Sequence, residues 1–340
     1  MAAARKRRII FAARPEGEPR PGDFRIEDAE PPAPADGEVS LRIIYLSLDP
    51  YMRSRMSAER SYAKPMEVGD VVVGATVAQV VESRSDAYAP GDYVLSYSGW
   101  QTHAVVKVRG LRKLDRKQAP LSTALGVLGM PGFTAYVGMK EIGKPLAGET
   151  VVVAAAAGPV GATVGQIAKL RHARVVGIAG GADKCRYLVD ELAFDEAIDH
   201  RAPDFAEQLE DACPRGIDVY FENVGGAVWD AVLPLLNDFA RVPVCGVIAQ
   251  YNAVAPPEGP AAAQLMRQIL TRRLTVRGFI QSDFAPLHRD FQREMAVWLQ
   301  AGRIRYREDI VDGLEQAPEA FIGLLRGRNF GKLIIRVAPE

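Results

Sequence analysis

A chain of 340 residues is long for one domain and points to two, each with apolar residues enough for its own core. Hydrophobic residues make up 48% and charged residues 25%, and 42 Lys plus Arg balance 42 Asp plus Glu, which excludes nucleic acid as a partner held by net charge. No apolar run approaches the roughly 20 residues of a membrane-spanning helix, and the N-terminus lacks a signal core, so a cytoplasmic protein with no membrane partner is expected.

The first elements in chain order read as β-structure. The basic run Arg5 to Arg8 abuts Ile9, Ile10 and Phe11 and flanks a first strand, and Arg14 to Gly37, rich in Pro, Glu and Asp, reads as an extended surface connection. Glu38 to Pro50, Val68 to Ser83 and Pro90 to Lys107 then show partly alternating β-branched runs bounded by Gly, Pro and Asp. These short strands fit a barrel-like domain over residues 1–124.

From Val151 the pattern changes. VVVAAAAGPVGATVGQIAKL (Val151 to Leu170) is an apolar run that reads as a strand buried on both faces, stops at a glycine turn and restarts with helical spacing. Ala155, Gly158 and Gly161, each three apart, let the backbone turn tightly and approach a pyrophosphate, and Gly165 lets the helix pack on the sheet. The helix N-terminus turns its free N–H groups toward the phosphates.

Ala173 to Ala179 forms the next strand, and where NAD-specific proteins carry an acid, about 20 residues on, this chain has Gly180 and Gly181. Asp183, Lys184 and Arg186 follow; Arg186 reads as an ordinary solvated helix residue and Lys184 as a partner for a 2′-phosphate, hence NADP. Ile217 to Gly226 ends in Asn223 and two glycines, Ala240 to Asn252 ends in Gly246, Gln250 and Tyr251, and Leu274 to Ile280 supplies a further strand with Gly278 near its end. Strand and helix in alternation, with glycines at the carboxyl ends, predict an α/β fold: a Rossmann doubly wound parallel sheet over residues 125–304, binding outside those ends. Arg289 to Gly302 then reads as a helix, and Gly331 to Val337 as a strand that returns the chain to the first domain, completing it with about residues 305–340.

Cys185, Cys213 and Cys245 are few, odd in number and widely spaced, as expected of reduced thiols. They form no C-x-x-C, and His103, His172, His200 and His288 are scattered, so no metal site is expected.

The words LSLDPYMRSRM (Leu46 to Met56), GVLGMPGFTAYVG (Gly126 to Gly138), AAAGPVGATVGQIAKL (Ala155 to Leu170), ENVGG (Glu222 to Gly226), CGVIAQYN (Cys245 to Asn252) and GRNFGKLIIRV (Gly327 to Val337) run nearly end to end. Together they resemble the zinc-independent branch of the medium-chain dehydrogenase/reductase superfamily, which contains prostaglandin reductases, plant alkenal reductases and bacterial curcumin reductases. The resemblance implies a GroES-like β-rich catalytic domain beside the Rossmann domain, and reduction by NADPH of the C=C bond of α,β-unsaturated aldehydes and ketones. It also implies a homodimer. Carried over word by word, Gly158, Pro159, Val160 and Gly161 form the pyrophosphate loop and Lys184 meets the 2′-phosphate. Asn223, the segment Cys245, Gly246, Val247, Ile248, Ala249, Gln250 and Tyr251, then Phe279, Ile280 and Gln281, and Asn329 line the rest of the cofactor. One position departs: where relatives have a tyrosine near the adenosine phosphate, this chain has His200, whose imidazole can still donate to phosphate with an affinity that varies with pH.

The chemistry asks for an oxyanion donor. Hydride addition to the β-carbon of an enone places enolate charge on the carbonyl oxygen, and a proton must then reach the α-carbon. With no zinc, a neutral hydroxyl is required, and Tyr251, a phenol of ordinary pKa about 10, is the candidate. It donates either to the substrate oxygen or to the ribose hydroxyl that does so; its rival role is packing beside the cofactor. Tyr51 and Tyr62 would wall the substrate cleft, with plain barrel packing as the alternative. Two other readings stay open: a quinone oxidoreductase of the same superfamily, and an NADP-binding protein without turnover. The substrate itself stays open among short alkenals, oxo-prostanoids and phenylpropanoid or curcuminoid enones.

Overall fold

Residues 6–254 and 262–340 are described in a computed structural model. Two units divide the chain: one takes the chain up to Leu125 with Glu308–Asn329 and Leu333–Glu340, the other Gly126–Arg307 with Phe330–Lys332.

The first unit begins with β1 (Arg7–Phe11) and β2 (Phe24–Asp28), paired antiparallel. Of the basic run, Arg5 lies outside the described residues, while Arg7 and Arg8 stand within β1 and pair with Glu315 and Glu27. The stretch Arg14 to Gly37 is thus not a plain surface connection. Phe24 and Ile26 alternate with Arg25, Glu27 and Asp28, and Phe24 is buried flat against Trp100 with centroids 5.5 Å apart. The flanking prolines and charges hide this short alternation in the sequence.

Next come β3 (Glu38–Ser47), β4 (Thr76–Ser83), β5 (Tyr93–Ser96), β6 (His103–Lys107) and β7 (Arg112–Leu114), all antiparallel where they pair. Along β3 the burial alternates and then becomes continuous from Ile43, because layers cover both faces there.

The second unit holds β8 (Thr150–Val153), β9 (Arg174–Ala179), β10 (Glu196–Asp199), β11 (Ile217–Phe221), β12 (Leu236–Val244) and β13 (Thr275–Gly278). All pair in parallel, in the spatial order β10-β9-β8-β11-β12-β13. This is the doubly wound order, with the chain reversing direction across the sheet between β8 and β11. Alternate residues face opposite layers: Val151, Val153, Val219 and Phe221 join one core, and Val152, Val176, Ile178 and Tyr220 the other.

Three expectations need correction here. The alanine run is not strand: β8 stops at Val153, and Ala155 turns with φ +50°, a left-handed conformation that a small side chain tolerates. β12 starts at Leu236, four residues ahead of the expected Ala240, through a kink where Phe239 takes φ +65° and lies under Arg273. That kink breaks the alternation by which a strand is read. It also stops at Val244, and Ile248–Gln250 is a separate turn of 3-10 helix.

The chain closes with β14 (Glu308–Asp312) and β15 (Lys332–Arg336). β15 pairs antiparallel with the second half of β3, beyond the stretch that β6 occupies.

Candidate functional site

The second unit gathers most of the candidate residues at the carboxyl ends of its strands. After β8 the backbone turns through Ala155, and the Ala156 amide donates to Ile178 O at 2.9 Å, pinning the loop to the end of β9. Gly158 caps the helix Pro159–Leu170 with extended backbone and no side-chain cap. The amides of Val160 and Gly161 therefore have no acceptor within the helix, and the helix dipole adds positive potential at the same place. A Cβ on Gly161 would stand 2.5 Å from Ala155 O, so only glycine lets the helix start this close to the loop. The cradle fits a pyrophosphate: amides without an acceptor in the helix, and backbone where bulkier residues would put side chains.

The Asn223 side chain, at the end of β11, donates to Ala154 O at 2.8 Å and joins that end to β8. Beside it, Glu222 is 3% exposed, and its carboxylate accepts from the amides of Val224 (2.6 Å) and Gly225 (2.9 Å). Burial pushes the Glu222 carboxyl above its ordinary range, against these two donors, which favour the anion. In the sequence Glu222 is only the first letter of the ENVGG word; in the structure its carboxylate anchors that turn.

The segment Cys245 to Tyr251 lies on this turn. The amides of Cys245, Ile248 and Ala249 donate to Glu222 O, Asn223 O and Val224 O at 2.9, 3.2 and 3.0 Å. The Gln250 amide group comes near Gly225, and Val247 flanks the same glycine. Burial, then the Glu222 charge, pushes the Cys245 thiol up to about 12, so it stays neutral and is no nucleophile. Tyr251 follows the short helix and folds back, bringing its hydroxyl within 3.2 Å of where a Cβ on Gly246 would be. A side chain at Gly246 would crowd that hydroxyl.

Phe279 sends its ring into the core, edge-on to Phe221 with centroids 6.2 Å apart, which leaves its backbone at the strand end. Ile280 and Gln281 follow, half-buried, at the start of a 3-10 helix.

At the other side of the sheet, Gly181 takes φ +98° and begins the short helix Ala182–Arg186. Lys184 is half-buried on that helix, whereas Arg186 is exposed and pairs with Asp183. His200 follows β10, its amide bonded to Ala179 O at 3.0 Å, and its Nε2 would lie 3.0 Å from a Cβ on Gly180. Partial burial of the ring, then the charge of Arg201, hold its pKa below the usual value. Arg201 brings its guanidinium to the same spot; its only signal in the sequence was its place beside His200. The sequence places glycines, not an acid, at the end of β9, and the carboxylate nearest to them is Asp199 of the neighbouring strand end, which the Gly181 amide meets.

Tyr51, Tyr62 and Asn329 belong to the first unit. Tyr51 opens the helix Tyr51–Arg55, and burial, then Asp49, raise its phenol well above the ordinary range. Tyr62 is exposed and close enough to Tyr51 to contribute in the same sense, and Asn329 is half-buried. Among the described residues no group of three or more His, Cys, Asp or Glu could hold a metal ion.

Comparison with known proteins adds the following. The family described as the N-terminal domain of oxidoreductase matches residues 7–114, and that described as zinc-binding dehydrogenase matches residues 159–300. The NADPH-dependent curcumin reductase of Escherichia coli (strain K12) is 57% identical over 339 residues, 99% of this chain and 98% of that protein. The NADP(+)-dependent 2-alkenal reductase of Nicotiana tabacum is 40% identical over 306 residues, 89% of this chain and 88% of that protein. The crystal structure of CurA from Vibrio vulnificus in complex with NADPH superposes with a TM-score of 0.95 at 51% identity, covering 98% of this chain and all of that one.

Proposed function

Since the chain belongs to the medium-chain dehydrogenase/reductase family, we propose that it reduces the C=C bond of α,β-unsaturated aldehydes and ketones with NADPH. The observation that carries this reading is near-complete alignment, at 57% identity, with a protein named for that cofactor and an enone substrate. Quinone reduction, the second enzyme reading, has only a likeness of fold behind it.

Bound NADPH supplies the hydride that adds to the β-carbon of the enone. The protein's own task is to hold reactants and stabilise charge. The amides of Val160 and Gly161 hold the pyrophosphate, with Asn223 fixing the loop beneath it through Ala154. Lys184 and the end of β10 meet the 2′-phosphate. Tyr251, set over Gly246 by the turn that Glu222 anchors, donates to the developing enolate oxygen directly or through the ribose hydroxyl. The proton then reaches the α-carbon from solvent or from that hydroxyl. Tyr51 and Tyr62 of the first unit, which serves as the catalytic domain, wall the substrate, and Asn329 completes the cofactor contacts.

The enzyme works in the cytoplasm as a homodimer. The three cysteines are free thiols, in keeping with a reducing compartment. Among the described residues β13 pairs only with β12, and all four of its residues are exposed, which makes it a template for a second copy.

Consumption of NADPH with a short alkenal, an oxo-prostanoid, a curcuminoid and a benzoquinone tests the reading. Turnover of at least one of the first three, with accumulation of the saturated carbonyl product, is expected. Turnover of the quinone alone would replace enone reduction by quinone reduction, and tight NADPH binding without turnover would leave a binding protein.

A further inference from the structure

We propose that Arg201, together with Lys184, forms the clamp for the 2′-phosphate of the cofactor, and that Arg201 rather than its neighbour His200 sets the preference for NADPH over NADH. The proposal rests on the NADPH reading above.

The guanidinium lies along the two-glycine turn at the end of β9. A Cβ on Gly180 would stand 3.0 Å from Arg201 Nε and 3.1 Å from its Cζ, and one on Gly181 would stand 3.8 Å from Nη1. Gly180 thus leaves room for the side chain that fills this corner. The position is set by the backbone: His200 N–H bonds Ala179 O at 3.0 Å, and Arg201 N–H bonds Asp199 Oδ1 at 3.0 Å. Both residues are tied to the ends of β9 and β10, where an adenosine ribose lies in a doubly wound sheet.

The charges nearby can be accounted for. Asp183 is engaged by Arg186, and Asp199 accepts the Arg201 amide, its carboxyl held below the ordinary range against partial burial by backbone donors and by the charges of His200 and Arg201. The Arg201 guanidinium itself makes no hydrogen bond to the described residues, whereas many of the chain's other arginines, such as Arg174 and Arg241, are engaged by carboxylates. Its planar fork of donors matches a phosphate. His200 is the weaker partner for that charge. Partial burial, then the charge of Arg201, hold the His200 pKa below its ordinary value, with Asp199 the opposing influence, whereas Arg201 offers a permanent charge.

The test is equilibrium binding by calorimetry of NADPH, NADH, 2′,5′-ADP and 5′-AMP to the wild type and to Arg201→Gln, Arg201→Lys and His200→Phe. Arg201→Gln should weaken NADPH and 2′,5′-ADP by about tenfold or more, the range of a charge-assisted hydrogen bond, and leave NADH and 5′-AMP unchanged. Arg201→Lys should fall between, and His200→Phe should leave the NADPH to NADH ratio near that of the wild type. NADH binding serves as the check that each variant is folded. An unchanged ratio in Arg201→Gln, or a ratio lost in His200→Phe instead, overturns the assignment while leaving the cofactor reading intact. A wild type that binds NADH as well as NADPH overturns both.

Discussion

Gly165, in the middle of the helix that follows the pyrophosphate loop, faces the ring of Phe194 so closely that a Cβ there would stand 1.9 Å from Cζ. The ring is buried, and its neighbours include Gly177 on β9, so it has little room to retreat. Two effects oppose each other in Gly165→Ala. Helix propensity favours alanine by about 1 kcal/mol, while overpacking a filled core costs about 1–3 kcal/mol. The clash wins, because the nearest atoms belong to a buried ring. Gly165→Ala should lower the urea midpoint, and adding Phe194→Leu should restore part of it; a gain in stability from the single change would show that the helix rides clear of the ring.

Lys184 stands on the helix that Gly181 starts, at a strand end where the sequence has two glycines. Lys184→Ala should weaken NADPH binding by roughly the 1.5–3 kcal/mol of a charge-assisted hydrogen bond and leave NADH nearly unchanged. Equal losses for the two cofactors, measured by fluorescence titration, would remove Lys184 from the 2′-phosphate.

Much of this was legible in the sequence because the Rossmann half repeats one physical pattern. Valine runs at β8 and β9, glycines at the turns and helical spacing after Gly158 each say the same thing. What stayed hidden has local causes. β2 is two apolar residues among charges, the start of β12 is disguised by the kink at Phe239, and the exposed Glu196 opens β10 with no apolar run to announce it. At the site, Arg201 and Glu222 were missed for different reasons. A surface arginine after a strand has no signature, and a carboxylate that caps a turn is recognised only when its acceptors' partners are seen.

Metal-independent activity is predicted from the sequence, where three widely spaced cysteines and four scattered histidines form no ligand motif. Prolonged dialysis against a strong chelator should leave NADPH oxidation unchanged. Stoichiometric zinc, with activity lost on its removal, would contradict this.

The exposed edge of β13, with Val276 turned to solvent, predicts a dimer at micromolar concentration by light scattering. Replacing Val276 by Lys should shift the population toward monomer. A wild type that runs as monomer throughout would refute the edge-to-edge assembly.

The Tyr251 hydroxyl, held over Gly246, is proposed to stabilise enolate charge. Tyr251→Phe keeps the ring and its packing and removes one donor. The measurement is single-turnover hydride transfer from NADPH to an enone such as 3-nonen-2-one, wild type beside mutant. A slower chemical step is expected, at most on the order of a hundredfold to a thousandfold by analogy with oxyanion-hole deletions and less if the ribose hydroxyl relays the bond, with NADPH affinity nearly unchanged. An unchanged rate of hydride transfer would contradict it and reduce Tyr251 to a packing residue.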